Sequence, residues 1–250
     1  MKKLITLSMS AIIVCTCCFF AIPQNKKVQF EKKGFAVVEL FTSEGCSSCP
    51  AADDAVVQLA KDYPEHVYIL GYHVDYWNYI GWKDAYSSAA FTERQRQYGE
   101  RFALNSVYTP QIVVNGQKEF VGSNRSQLKT SVSKAIESPT ADEIKLSVAK
   151  ENASTLRITY DVNPGTASLL NIAVVQLQAT TAVKRGENKG KSLHHINIVR
   201  ALKSIPVNKE AKAVVAMPVP PDLTLQDVEI IAFLQDKKDW KITGATAQKP

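Results

Sequence analysis

The sequence predicts an α/β layered domain over residues 34–138 followed by an all-β antiparallel sandwich domain over residues 142–250. Three observations predict it. As far as Glu137, short apolar runs rich in β-branched and aromatic residues alternate with amphipathic helical stretches. From Ile144 onward, apolar and polar residues alternate with period 2 and no convincing helix intervenes. Between the two textures stands Ser138-Pro139-Thr140, a turn-forming stretch that sets the boundary near residue 140.

The elements follow in chain order. Phe35 to Phe41 reads as a strand, and Pro50 to Ala60 as a helix with proline at its start. His66 to Tyr72 is a second strand, apolar enough to be buried on both faces. Ala85 to Leu104 is helical in character, with Phe91, Gln95, Tyr98 and Phe102 at helical spacing. Gln111–Val114 and Lys118–Val121 are two strands joined at the Asn115-Gly116 turn. A last helix runs from about Arg125 to Glu137, capped by Ser123 or Asn124. In the second region, strands are expected at 144–148, 156–160, 170–177, 196–205, 211–217 and 228–234. Asn163-Pro164-Gly165 and Pro218–Asp222 provide turns between them.

The composition is that of a globular chain, with 45% hydrophobic and 22% charged residues. Residues 1–21 read as a signal peptide: Lys2 and Lys3 precede an almost charge-free run from Leu4 to Phe20. Its removal lowers the net charge of +6 to about +4. The remaining basic residues are interleaved with acids, which argues for a solvated surface and against nucleic acid as a partner. The expected location is therefore the periplasm or the extracellular space, with membrane association only if the N-terminal segment is retained.

Five cysteines are present, and Cys15, Cys17 and Cys18 lie in the signal region. The mature chain keeps Cys46 and Cys49, the two ends of Cys46-Ser47-Ser48-Cys49. A strand–CxxC–helix order places a sulfur near a helix N-terminus, where unpaired N–H groups and the helix dipole favour the thiolate. A disulfide closing so small a loop gains little from loop entropy, which favours a working bond over a staple. On this reading Cys46, the more exposed of the two at the helix end, is the attacking thiol and Cys49 the resolving one. Ser47 and Ser48 can donate hydrogen bonds to a sulfur anion. An inert local disulfide is the alternative.

The order strand, CxxC, helix, strand, helix, then Thr109-Pro110 before a strand resembles the thioredoxin fold. That resemblance implies that Pro110, with Thr109 before it, is a cis-proline facing the disulfide and shaping a substrate groove. It also implies a buried acid that relays a proton to the resolving cysteine, for which Glu39 is the candidate. A strand-edge glutamate reaching solvent is the other reading of Glu39. Phe41 to Pro50, His73 to Trp77 with Gly81-Trp82-Lys83, Tyr108 to Gln111, and Gly186 to Arg200 are similar to an exported bacterial family, domain-of-unknown-function family 1223. Gly45 stands where thioredoxins usually carry tryptophan, a departure from their substrate surface.

His73, Asp75, Tyr76 and Trp77 are a candidate substrate rim, with packing of an aromatic loop as the plain alternative. Glu44 reads as an exposed loop acid. Zinc or copper on Cys46, Cys49 and His73 is chemically conceivable, but no further cysteine or spaced histidine pair completes it, so no metal is expected. His194 and His195, adjacent on a strand, point to opposite faces. The basic stretch Lys184-Arg185 to Lys189-Gly190-Lys191 reads as a solvated hairpin. The function expected is thiol–disulfide exchange with a protein or small-molecule thiol or disulfide. The Cys46–Cys49 pair is then the redox centre, with no organic cofactor. A binding module with a fixed disulfide, or a metal-handling protein, is the alternative.

Overall fold

A computed structural model describes residues 34–139, 142–163, 168–207 and 211–250. The signal-peptide segment, the boundary at Thr140 and the turn at Pro164-Gly165 lie outside the described residues.

Strand β1 (Ala36–Thr42) is buried along its whole length. Val37 and Phe41 lie on one face and Ala36, Val38 and Leu40 on the other, so it needs cover on both. Parallel β2 (Val67–His73) and antiparallel β3 (Gln111–Val114) flank it. β3 returns through the turn at Asn115-Gly116, both residues at positive φ, into β4 (Lys118–Val121). Helix α1 (Pro50–Asp62) begins with proline at its first turn, and α3 (Arg125–Glu137) is capped by the Asn124 side chain on the amide of Gln127. Ala52, Ala55, Val56 and Leu59 of α1, with Leu128 and Val132 of α3, cover the Val38–Leu40 face of β1. Helix α2 (Ala89–Arg101) covers the other face through Phe91 and Tyr98.

The remaining strands are β5 (Ile144–Asn152), β6 (Thr155–Val162), β7 (Ser168–Ala182), β8 (Ser192–Val207), β9 (Ala211–Pro218), β10 (Val228–Asp236) and β11 (Ile242–Gln248). They do not form a separate sandwich after a thioredoxin-like domain, and this corrects the fold class expected from the sequence. β11, β10, β7, β8, β2, β1, β3 and β4 make one eight-stranded mixed sheet in that order. Only β5, β6 and β9 form a second sheet, of three strands. The seam is β8, where Ile198 pairs in parallel with Gly71 of β2. The described residues form one compact unit.

The correction has a physical cause in two apolar runs. In β7 and β10, Leu170, Ile172, Val174, Ile230, Ala232 and Leu234 face the three-stranded sheet. Ala173, Val175, Ile231 and Phe233 on the opposite face join the core of Phe41, Tyr72, Phe91 and Tyr98. Strands apolar on both faces cannot leave one in water, and the α/β half supplies the second cover. β7 and β8 are also longer than their apolar centres suggest, at 15 and 16 residues. β11 escaped sequence reading because Gly244, Ala245 and Ala247 give it little β signal. Its pairing with β10 supplies the order.

Glu39 illustrates the same coupling. It is fully buried on the α2 side of β1, where its carboxylate takes Arg94 Nε at 2.5 Å and the Tyr98 hydroxyl. Gln235 of β10 donates to Tyr98 Oη at 3.0 Å and accepts from Arg94 Nη2 at 3.3 Å. Among the described residues no helix is long and apolar enough to cross a membrane.

Candidate functional site

Cys46 and Cys49 form a disulfide with their Cα atoms 5.4 Å apart. Cys49 is the N-cap of α1, its amide donating to Cys46 O at 3.2 Å and its carbonyl accepting from Ala52 and Asp53. Ser47 and Ser48 are exposed, but Cys46 is 1% and Cys49 0% accessible. Both sulfurs are covered, and the expected greater exposure of Cys46 comes to almost nothing. Ser48 Oγ lies 3.4 Å from Cys46 Sγ, within the reach expected of a hydroxyl partner.

Two segments bury the pair. The aromatic loop after β2 packs against Gly45, where a Cβ would come within 3.1 Å of both Trp77 Cβ and Ile80 Cδ1. A tryptophan at this position has no room. On the other side is the tip of the β7–β8 hairpin, residues 183–191. The fully buried Asn188 donates to Glu44 O and Cys46 O, each at 2.9 Å, and Glu187 accepts from the Ser47 amide at 3.0 Å. The basic residues expected to form a solvated hairpin are exposed on this tip, and between them Glu187 and Asn188 clamp the CxxC turn.

A buried polar cluster lies alongside. His73 Nδ1 meets Asp84 Oδ2 at 2.7 Å, and the same oxygen accepts from the Glu44 amide at 2.9 Å. His195 packs edge-on against His73, with ring centroids 4.7 Å apart. Its Nδ1 lies 3.3 Å from Asp53 Oδ1 and its Nε2 3.9 Å from Glu44 Oε1, yet neither nitrogen has a hydrogen-bond partner among the described residues. Asp53 also accepts from Thr42 Oγ1, and Glu44 from Trp82 Nε1 at 2.7 Å. Glu44 is fully buried, not the exposed loop acid that the sequence suggested. Among the described residues no three His, Cys, Asp or Glu side chains are arranged to hold a metal ion.

Burial pulls the pKa of His195 down, but the contact with Asp53 and the charges of Glu44 and Asp84 outweigh it and leave the imidazole above its ordinary value. Burial pushes Asp84 up, but the charge and hydrogen bond of His73, with the amides of Glu44 and Tyr86, hold it below. The two act at opposite ends of the pH scale. The raised His195 stabilises the fold fully below its unfolded pKa of about 6.5 and loses that contribution as pH rises through the folded value. The lowered Asp84 contributes above about 3.9 and loses it as pH falls through its folded value. Urea unfolding is therefore expected to show stability declining as pH rises above about 6.5, with a flatter profile for His195→Gln. Equal slopes for the two proteins would contradict a proton held preferentially in the fold.

The structure brings together only some of the residues chosen from sequence. Thr109-Pro110 is a cis peptide bond, as the resemblance implied. Gly122 lies between Pro110 and α1: a Cβ there would come within 3.2 Å of Pro110 Cβ and 3.0 Å of Ala52 Cβ. The carbonyl of Pro110 is taken by the Gly122 amide. Thr109 accepts from Trp77 Nε1 at 2.7 Å. Of the expected rim, Trp77 borders the CxxC turn and His73 lies buried in the polar cluster. Asp75 instead pairs with Thr92 of α2, and Tyr76 packs into the α2 core. Glu39 is spent on Arg94 and Tyr98, on the sheet face opposite α1.

Sequence reasoning passed over Asp53 and Asp84, and did not count His195, Glu187 or Asn188 among the site residues. Asp53 had a readable signal, since four residues after Cys49 on a helix is the same face. His195 had half of one, in its alternation with the exposed His194. Asp84 had none, because only the fold of the 77–88 loop brings it under Glu44.

A family model described as "Protein of unknown function (DUF1223)" matches residues 37–235. The chain belongs to this family. The match spans the disulfide, the aromatic loop and the 183–191 tip. The chain is similar to a crystal structure of an Agrobacterium tumefaciens protein, at 27% identity and a TM-score of 0.64, over 85% of this chain and 92% of that one. It also aligns with a domain of the outer membrane lipoprotein Omp28 from Porphyromonas gingivalis. That match has 11% identity and a TM-score of 0.29, over 44% of this chain and 88% of that one. A likeness so distant carries no argument. No curated protein matches the chain.

Proposed function

We propose that this protein carries out thiol–disulfide exchange through Cys46 and Cys49, on a protein or small-molecule thiol or disulfide, in the periplasm or outside the cell. The observation that carries the reading is a disulfide of CxxC spacing at the first turn of α1, flanked by buried groups that can hold protons. An incoming thiolate attacks Cys46 Sγ and breaks the Cys46–Cys49 bond, and Cys49 leaves as a thiolate that takes up a proton. A second thiol then displaces the first from Cys46. The substrate leaves as a disulfide, two electrons poorer, and the protein becomes a dithiol. The reverse sequence oxidises the protein. The dithiol itself is the redox centre and calls for no organic cofactor.

Redox titration with thiol labelling tests this. The pair is expected to cycle at potentials between roughly −120 and −270 mV, the range of exchange catalysts. Cys49→Ser is expected to trap mixed disulfides and Cys46→Ser to trap none. A pair that stays oxidised below about −300 mV is a structural bridge and ends the proposal. The burial of both sulfurs favours one second reading, a binding module whose disulfide is fixed. That protein would keep its ligand in both cysteine variants.

A further inference from the structure

The geometry points to a carboxylate-bearing low-molecular-weight thiol as the exchange substrate, drawn to the disulfide by the basic tip of the β7–β8 hairpin; this rests on the exchange reading above. Residues 183–191 hold four cations, Lys184, Arg185, Lys189 and Lys191, against one carboxylate, Glu187. That carboxylate is already engaged by the Ser47 amide. One of the cations is tied into the clamp itself. Lys191 Nζ donates to Asn188 Oδ1 at 2.9 Å, and the Nδ2 of the same amide holds Cys46 O. Lys184, Arg185 and Lys189 are exposed on this anchored tip and carry no ion-pair partner among the described residues.

The other exposed side chains of the turn, Ser47 and Ser48, are uncharged. Clustered like charge beside a reactive group raises the local concentration of counter-charged reactant and its encounter rate, and salt removes the effect. The choice of a small thiol over a protein follows from cover. With Cys46 1% accessible between the Trp77–Ile80 loop and the tip, a slight opening admits a single thiolate, whereas a bulky partner must displace the tip. Two such thiols reduce the pair: the first forms a mixed disulfide on Cys46 and releases Cys49, and the second leaves with the first as their disulfide.

The test is the rate at which the full chain is reduced by mercaptosuccinate, 2-mercaptoethanol and cysteamine, each expressed per thiolate, at low and at high salt. Mercaptosuccinate is expected to react about tenfold faster than 2-mercaptoethanol at low salt, with cysteamine slowest, and the spread is expected to collapse near 1 M salt. The mercaptosuccinate-to-mercaptoethanol ratio is expected to drop to unity or below in a Lys184→Glu, Arg185→Glu, Lys189→Glu variant. Rates that follow thiolate concentration alone, at any salt, overturn the inference and leave exchange standing. So does charge preference shown only by an acidic cysteine-containing peptide used as the reducing thiol, which assigns the tip to a protein partner. A folded protein that none of the three thiols reduces removes the exchange reading itself, and this inference with it.

Discussion

Arg94→Met is expected to lower the unfolding free energy by about 3–5 kcal/mol, because it strands the Glu39 carboxylate in the core. Glu39 is fully buried and Arg94 is 8% accessible. Arg94 also lies over the rings of Tyr72, Tyr98 and Phe233, at 5.7, 5.3 and 5.5 Å from their centroids. Through Gln235 the network ties α2 to β10, so its loss loosens the join between the α/β half and the long sheet. The paired change Glu39→Leu with Arg94→Met removes both charges and is expected to recover most of the loss. Urea denaturation of the two variants decides it. A single variant within 1 kcal/mol of the parent would mean that water reaches Glu39, contrary to its burial.

Asn188→Ala is expected to cost about 2–3 kcal/mol, since Glu44 O loses the hydrogen bond that Asn188 supplies in a buried place. Cys46 O keeps the Cys49 amide and suffers less. The larger consequence is local. The tip is held to the CxxC turn by Asn188 and Glu187, and about 1.4 kcal/mol off its opening free energy exposes the disulfide ten times more often. Reduction by neutral 2-mercaptoethanol is expected to accelerate at least about tenfold, beyond what the loss of global stability explains. An unchanged rate would show that the aromatic loop alone covers the sulfurs.

Both variants act on contacts between distant parts of the chain, and it is there that sequence and structure part. Elements whose signals are local were legible. Gln111–Val114, Lys118–Val121 and Arg125–Glu137 appear with the expected bounds, because a hairpin turn at Asn115-Gly116 and a cap at Asn124 set them within a few residues. The site was legible to the same depth. The CxxC spacing, the proline at the helix start and the opposite faces of His194 and His195 all depend on neighbours in sequence.

The layer arrangement was not legible, because apolar alternation tells a strand to bury a face but not against what. Leu170–Val175 and Ile230–Leu234 could have closed a sandwich of their own. In the fold their second face completes the core under α2, and the two expected domains share one eight-stranded sheet. The disulfide's surroundings follow from that merger, since a β7–β8 hairpin belonging to the same sheet brings Asn188, Glu187 and His195 onto the CxxC turn.

By itself the sequence determined that this protein carries two cysteines three positions apart, between a buried strand and a helix, and that its surface is mildly basic. Only the tertiary structure decided that both sulfurs are covered, that Glu39 belongs to Arg94 and not to the cysteines, and that a polar cluster with a buried imidazole facing Asp53 and Glu44 lies beside them. The reason is range: spacing fixes what a few bonds can reach, whereas burial and ion pairing are set by groups 55 to 144 residues apart, brought together by the packing of a shared sheet.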